Sequence, residues 1–330
     1  MMSLLVCDDS TVARKQVLRA LPHDWQVSVT EACDGHQAMQ AIRQGLGQVV
    51  LLDLTMPLMD GYQVLTALRD EGLDAQVIVI SGDVQEEAVR RVRALGALAF
   101  LKKPFDQVEL RQLLRQVGLF VEPQATAQAP RTSANAAIGF REVFSETVNV
   151  AIGQAAALIA KVLGVFVQLP VPSVNLFEVG ELHMALADAS RCQRLTAICQ
   201  GFIGSGISGE ALLMFHDSEI ADMAKLIRHQ SIEYSDMEML LDFSSVLIGA
   251  CLSSIANQID VVFSQGHPQI LGQHGTIDEL IQVNGQRWQK TLAVEISYSL
   301  EGHDIRFDLL LLFTEDSIER LTHKLAYLMN

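Results

Sequence analysis

The sequence predicts an α/β protein in which a doubly wound, five-stranded parallel sheet is followed by a second α/β domain with internal pseudo-two-fold symmetry. Three observations carry this expectation. The first 118 residues alternate five short apolar runs with five segments of helical period. Residues 121–139 then lose any period and fill with Gln, Ala, Pro, Thr and Ser. The rest of the chain repeats itself at a fixed displacement of 242 − 146 = 96 residues.

In the first segment the apolar runs are "SLLVCDD", "QVSVTEA", "QVVLLDL", "AQVIVISG" and "ALAFLKK". Each is followed by a helical pattern, such as "STVARKQVLRAL" or "DGYQVLTALRDEG". Strands of nearly unbroken Val, Ile and Leu belong to a parallel sheet covered by helices on both faces. Ligands of such sheets sit beyond the carboxyl ends of the strands. The residues expected there are Asp8 and Asp9, Asp53, Ser81 and Lys103.

Carboxylates gathered in one crevice repel each other unless a hard cation joins them, and Mg2+ is the usual one. A hydroxyl and a Lys beside them suit a phosphoryl group carried on a carboxylate. A lone Asp at a strand end is more often a helix cap. Five polar groups at four of the five strand ends make that reading poor.

The pieces "CDDS", "LLDLTMPLMDG", "ISGD" and "FLKKP" resemble those of a response-regulator receiver domain of the CheY type, over residues 1–118. The resemblance implies that Asp53 is the phosphoacceptor. It implies that Asp8, Asp9, Asp53 and the backbone of Thr55 hold Mg2+. Ser81 would be the hydroxyl contacting the phosphoryl group, Lys103 its cationic partner, and Phe100 the aromatic switch residue. The domain boundaries expected are a receiver at 1–120, a linker at 121–139, and a second domain at 140–330 made of repeats at about 140–235 and 236–330.

The repeat joins two blocks of like sequence. "ETVNVAIGQA" from Glu146 aligns with "DFSSVLIGAC" from Asp242, bringing Asn149 onto Ser245, Gly153 onto Gly249 and Pro172 onto Pro268. Each block leads into a strand pair, "LTAICQGFIGSGISGEALLMF" or "KTLAVEISYSLEGHDIRFDLLLLF", and then into a helix. Glu146 and Asn149 share one helix face. The bland account of the pair is a solvated surface. Neither residue is an obvious nucleophile, but a carboxamide holds water and a carboxylate engages a cation.

Glu146, Asn149 and Pro172 match the pattern E-x-x-N, twenty-two residues, P (172 − 149 − 1 = 22). In this the second domain resembles the CheC/CheX/FliY family of chemotaxis phosphatases. The resemblance implies that Glu146 binds the Lys of a phosphorylated receiver and that Asn149 positions the attacking water. Glu142 stands at the family's preceding polar position. At the second copy Asp242 is one methylene shorter and Ser245 lacks the amide, so that site is expected to be weak or dead.

Composition narrows the rest. The 24 Lys and Arg against 39 Asp and Glu give a net charge of −15, and no basic run occurs. Neither nucleic acid nor an anionic membrane surface is an expected partner. Cys7, Cys33, Cys192, Cys199 and Cys251 show no C-x-x-C spacing and read as reduced thiols in a cytoplasmic protein. No membrane-spanning helix is expected, because the most apolar stretch is broken by Gln154, Lys161 and Pro170. "GFIGSGISGE" reads as a hairpin turn rather than a phosphate cradle.

The expected function is therefore a two-component or chemotaxis signalling protein phosphorylated on Asp53 by a histidine kinase. It would dephosphorylate a CheY-like receiver, which is either a separate partner or Asp53 itself, within one chain or across a homodimer. The alternative is a non-catalytic adaptor that recognises phosphorylated receivers or a flagellar motor component.

Overall fold

Where the apolar runs end, the chain turns, and the resulting elements follow the alternation read from the sequence. The computed structural model describes residues 1–120, 139–178, 194–227, 235–275 and 290–329. The expected linker lies outside these residues apart from Gly139, and so does Cys192. The chain divides into two compact units, Met1–Glu146 with Leu328–Asn330, and Thr147–Tyr327.

In the first unit the elements are β1 (Met2–Cys7), α1 (Thr11–Ala20), β2 (Val27–Ala32), α2 (Gly35–Arg43), β3 (Val49–Leu52), α3 (Gly61–Glu71), β4 (Gln76–Ser81), α4 (Glu86–Ala94), β5 (Ala99–Lys102) and α5 (Gln107–Gln116). The sheet order is β2-β1-β3-β4-β5 and every pairing is parallel. Alternate strand residues feed two apolar layers. One contains Leu5, Leu52, Val79, Met39 and Leu65, the other Leu4, Leu51, Ile78, Val17 and Leu114. Both faces of the sheet are therefore covered, as continuous apolar strands require.

Local chemistry fixes the helix starts. Ser10, Asp34, Asp60 and Asp106 each accept a backbone N–H from three residues on, capping α1, α2, α3 and α5. At α3 and α5 the third residue, Gln63 or Glu109, returns the bond to complete a capping box.

Helix α6 (Phe140–Leu163) starts in the first unit and crosses the division after Glu146. The second unit continues with β6 (Val167–Gln168), β7 (Ser173–Glu178), β8 (Leu195–Gly204), β9 (Ile207–His216), α7 (Ile220–Ile227), α8 (Asp236–Ile259), β10 (Ser264–Gln265), β11 (Gln269–Gly275), β12 (Lys290–Leu300), β13 (Arg306–Thr314) and α9 (Glu315–Met329). Two helices of 24 residues, α6 and α8, begin 236 − 140 = 96 residues apart, at the displacement of the sequence repeat.

The eight-stranded sheet runs β10-β8-β9-β13-β12-β6, with β11 also on β8 and β7 also on β12. Its centre is the antiparallel pair β9–β13, where Leu213 faces Leu309 and Phe215 faces Phe307. The two repeats are interlocked. Strands β6 and β7 follow α6 but pair with β12 of the second repeat, while β10 and β11 follow α8 but pair with β8 of the first.

The turn in "GFIGSGISGE" is a two-residue hairpin. Ser205 and Gly206 both take positive φ, 52° and 78°, the combination that matches the twist of the flanking strands. Within the second unit α6 and α8 are joined by polar bonds, Ser254 Oγ to Gln154 Oε1 at 2.8 Å and Gln258 Nε2 to the Thr147 carbonyl at 2.9 Å. Phe243 of α8 packs edge-on against Phe307, which stacks on the fully buried Tyr298.

By length and composition both α6 and α8 could cross a membrane, which the broken apolar stretch did not lead us to expect. Their apolar windows are 67% and 61% buried inside the fold, as in core helices.

Candidate functional site

The site is built at the carboxyl ends of β1, β3, β4 and β5. Asp8 leaves β1 with its N–H on the Ala32 carbonyl. Its Oδ1 accepts from the Ser10 N–H at 2.9 Å, and Arg14 Nη1 donates to its carbonyl at 2.7 Å. Asp53 leaves β3 with its N–H on the Cys7 carbonyl at 2.9 Å, and its Oδ2 accepts from the Thr55 N–H at 2.8 Å. Backbone geometry thus aims both carboxylates before any ligand arrives.

Lys103 follows β5 and is anchored by its own N–H on the Ser81 carbonyl at 2.9 Å. Its ammonium is buried and shared among three carboxylates. Nζ donates to Asp8 Oδ2 at 2.7 Å and to Glu146 Oε1 at 3.2 Å. It lies 3.1 Å from Asp53 Oδ1, within ion-pair range but off the direction of a hydrogen bond, so Asp53 Oδ1 is buried without a hydrogen-bond partner. All four residues are at most 6% exposed.

Burial dominates the electrostatics. It pushes the Asp8 and Asp53 carboxyls well above the usual range, and Lys103 only partly offsets this. Asp9, half-buried and close to Asp8, is raised to about 6, chiefly by burial. For Lys103 burial acts the other way, yet Asp53, Asp8 and Glu146 together hold it protonated well above its ordinary value. Three acids gathered around one ammonium, with the carboxyls raised by burial, make an arrangement that a further cation would relieve.

Ser81 is buried at the end of β4, where its Oγ accepts from the Asp83 N–H at 3.1 Å. Phe100 of β5 lies beside Val79 and packs, half-buried, on the layer containing Leu52 and Leu65. Glu146 is not the solvated residue that the bland account would have it be. It is buried on Lys103. Four residues earlier, Glu142 Oε1 accepts from the Thr11 N–H at 3.1 Å, at the first turn of α1, where a carboxylate complements the helix dipole. Both Glu142 and Glu146 belong to the first unit together with their partners.

Asn149 is half-buried in the second unit. At the second copy Asp242 is exposed and Ser245 half-buried, so the acid equivalent to Glu146 sits in solvent. Sequence reasoning passed over Asp83 as a functional group, although it closes the motif "ISGD". Asp83 is buried, its Oδ1 accepts from the Gln85 N–H at 3.1 Å, and burial raises it to about 6. The hydroxyl of Tyr62 is buried with no hydrogen-bond partner, and burial followed by the nearby Asp83 charge raises its pKa.

The donor chemistry fits Mg2+, namely three carboxylates and the Thr55 backbone, with a buried oxygen of Asp53 left unbonded. Among the described residues no three His, Cys, Asp or Glu side chains stand ready around a common point, and Lys103 Nζ lies between Asp8 and Asp53.

Residues 4–115 match the family model of the response regulator receiver domain. The probable transcriptional regulatory protein NarL of Mycobacterium tuberculosis is 38% identical over 108 residues, 32% of this chain and 50% of that protein, so the chain spans about half the length of that relative. The chemotaxis protein CheY of Treponema pallidum is 32% identical over 117 residues, 34% of this chain and 81% of that protein. Among solved structures, Thermotoga maritima FliY aligns over 57% of this chain and 96% of that one at 14% identity, with a TM-score of 0.41. Because it covers most of a CheY at that level of identity, the chain belongs, through residues 4–115, to the response-regulator receiver family.

Proposed function

We propose that this two-component signalling protein is phosphorylated on Asp53 and that its second unit hydrolyses the aspartyl phosphate of a receiver domain. A histidine kinase is the phosphodonor, the setting is cytoplasmic, and the class of partner is a phosphorylated CheY-like receiver. The observation that carries the reading is the buried pair of Lys103 and Glu146. The acid of the E-x-x-N pattern lies on the type of Lys that a phosphorylated receiver presents.

The chemistry divides among named groups. Asp53 is the nucleophile that accepts the phosphoryl group, its Oδ2 steadied by the Thr55 N–H. Asp8, Asp9, Asp53 and the Thr55 carbonyl would hold Mg2+, which supplies charge neutralisation for the phosphoryl oxygens. Lys103 balances the remaining charge, Ser81 offers a hydroxyl to a phosphoryl oxygen, and Phe100 follows the loop that Ser81 moves.

In hydrolysis the carboxamide of Asn149 orients a water. The water oxygen forms the new P–O bond while the P–O bond to Asp53, or to the equivalent Asp of a partner, breaks. The electron pair stays on the carboxylate, and both water protons leave on the released dihydrogen phosphate. Positioning and preorganised charge are the expected sources of rate, because phosphoryl transfer asks little covalent chemistry of the protein.

The test is the decay of a phosphorylated CheY-like receiver with and without the full chain. Acceleration by wild type, reduced at least roughly tenfold in Asn149→Ala, is expected for a lost water-orienting group. Binding without acceleration would leave an adaptor in place of a phosphatase.

A further inference from the structure

Resting on the Mg2+ reading of the phosphorylation site, we infer that Arg14 is a positioning residue for the cation: its guanidinium locks the backbone of Asp8 and Asp9 so that their carboxylates are presented together. Arg14 is an odd occupant of its place. It lies in the first turn of α1, where the positive end of the helix dipole favours acids and disfavours cations. That turn holds no acid at all.

What the guanidinium touches accounts for the departure. Nη1 donates to the Asp8 carbonyl at 2.7 Å and to the Asp9 carbonyl at 3.3 Å. Nη2 donates to Thr11 Oγ1 at 3.1 Å, and Nε donates to Glu31 Oε2 at 3.0 Å. One planar fork thus ties the turn after β1 to the start of α1 and to β2, in a geometry that an ammonium cannot reproduce. Holding the carbonyls of Asp8 and Asp9 fixes two successive peptide planes. Those planes set the directions in which the two side chains leave the backbone. Asp8 is held at its carboxylate as well, by the Ser10 N–H and by Lys103.

An ion pair with Glu31 is the plain alternative. The Glu31 side chain is 48% exposed, against 13% for Arg14, so this contact lies at the wet end of the fork and contributes little by itself. Such a pair does not call for bonds to two carbonyls next to the acids. The two accounts also differ in sign. A positive charge beside a cation site repels the cation, so charge alone makes loss of Arg14 tighten Mg2+ binding. Positioning makes the same change weaken it, because Mg2+ demands near-ideal geometry and groups behind the ligands provide it.

Isothermal titration calorimetry of Mg2+ into the unphosphorylated full chain tests this. Arg14→Ala is expected to weaken binding at least roughly tenfold, the usual effect of removing a group behind metal ligands. Arg14→Lys keeps the charge without the fork and should bind between Arg14→Ala and wild type. Arg43→Ala removes an equal charge from α2, where Arg43 pairs with Glu71 in solvent, and should stay within about twofold of wild type. Melting curves show which variants fold. Where Arg14→Ala does not, Arg14→Lys decides alone, weaker binding than wild type supporting the role. Equal or tighter binding by Arg14→Ala overturns it, as does a matching loss in Arg43→Ala or full affinity in Arg14→Lys. Absence of Mg2+ binding in wild type would remove the Mg2+ reading itself, whereas binding indifferent to Arg14 would remove only the positioning role.

Discussion

Gly61 passes so close to Asp53 that a Cβ at position 61 would fall 2.3 Å from the Asp53 carbonyl oxygen. The neighbour is backbone, not a side chain that could swing away, and Gly61 also donates its N–H to the Leu54 carbonyl at 3.0 Å. Gly61→Ala must therefore displace either the start of α3 or the loop that carries Asp53. We expect it to lower stability by about 2 kcal/mol, in the range of overpacking substitutions. It should also slow Asp53 phosphorylation by acetyl phosphate, and thermal denaturation together with initial labelling rates would check both.

The Lys103–Glu146 pair should show strong coupling. Breaking a buried ion pair by removing one partner costs about 3–5 kcal/mol, because the other charge is left stranded. Lys103→Met is expected to be the more harmful single change, since it strands Asp8 and Asp53 as well. Glu146→Gln leaves the ammonium with two acids and should cost less. A double-mutant cycle on urea denaturation should give a coupling of about 1–3 kcal/mol. A value near zero would mean that the pair is not closed in solution.

Asp83 provides a stability signal tied to pH. Its carboxyl is raised from 3.8 to about 6 by burial, so the folded protein holds that proton more tightly than the unfolded chain. Stability from this group is therefore greatest below the unfolded value and is lost as pH rises through 6. Asp83→Asn keeps an oxygen for the Gln85 N–H and removes the charge. At pH 7.5 it is expected to stabilise the chain by up to about 3 kcal/mol, because each tenfold change in proton affinity is worth about 1.4 kcal/mol. The difference should shrink toward zero at pH 4, and melting curves across this range would measure it.

The second copy of the E-x-x-N helix should be inert. Asp242 is exposed, so Asp242→Ala is expected to change stability by less than about 0.5 kcal/mol, as for ordinary surface sites. Dephosphorylation rates of Asp242→Ala and Ser245→Ala should stay within twofold of wild type. A loss comparable to that of Asn149→Ala would show that both copies work.

Much of this molecule was legible before its fold was seen, and the reasons are local. Asp8, Asp53, Ser81 and Lys103 each end a strand, and the alternation of apolar runs with helical segments placed those ends without any tertiary information. The twin helices α6 and α8 were legible because a fixed displacement of 96 survives divergence of side chains. The bond between Lys103 and Glu146 was not, since it joins positions 43 residues apart and depends on how the intervening chain closes. The burial of Asp83 escaped notice because an Asp after "ISG" looks like a turn residue. The exchange of β6, β7, β10 and β11 between repeats was also hidden, because β6 and β10 are only two residues long and carry no period.

That exchange makes the two repeats mutually dependent in a way that sequence similarity alone does not require. The hairpin β8–β9 is flanked by strands supplied from beyond α8, and β12–β13 by strands supplied from beyond α6. Cut between the repeats, each piece would expose a long hairpin edge that has lost its cover and two short strands with nothing to pair with. Such a piece could satisfy its edges only by taking another copy of itself as the missing half, trading strands around the β9–β13 axis as a domain-swapped dimer does. The second unit is, in effect, a dimer written into one chain, with Asn149 on one of its two long helices and Ser245 at the equivalent place on the other.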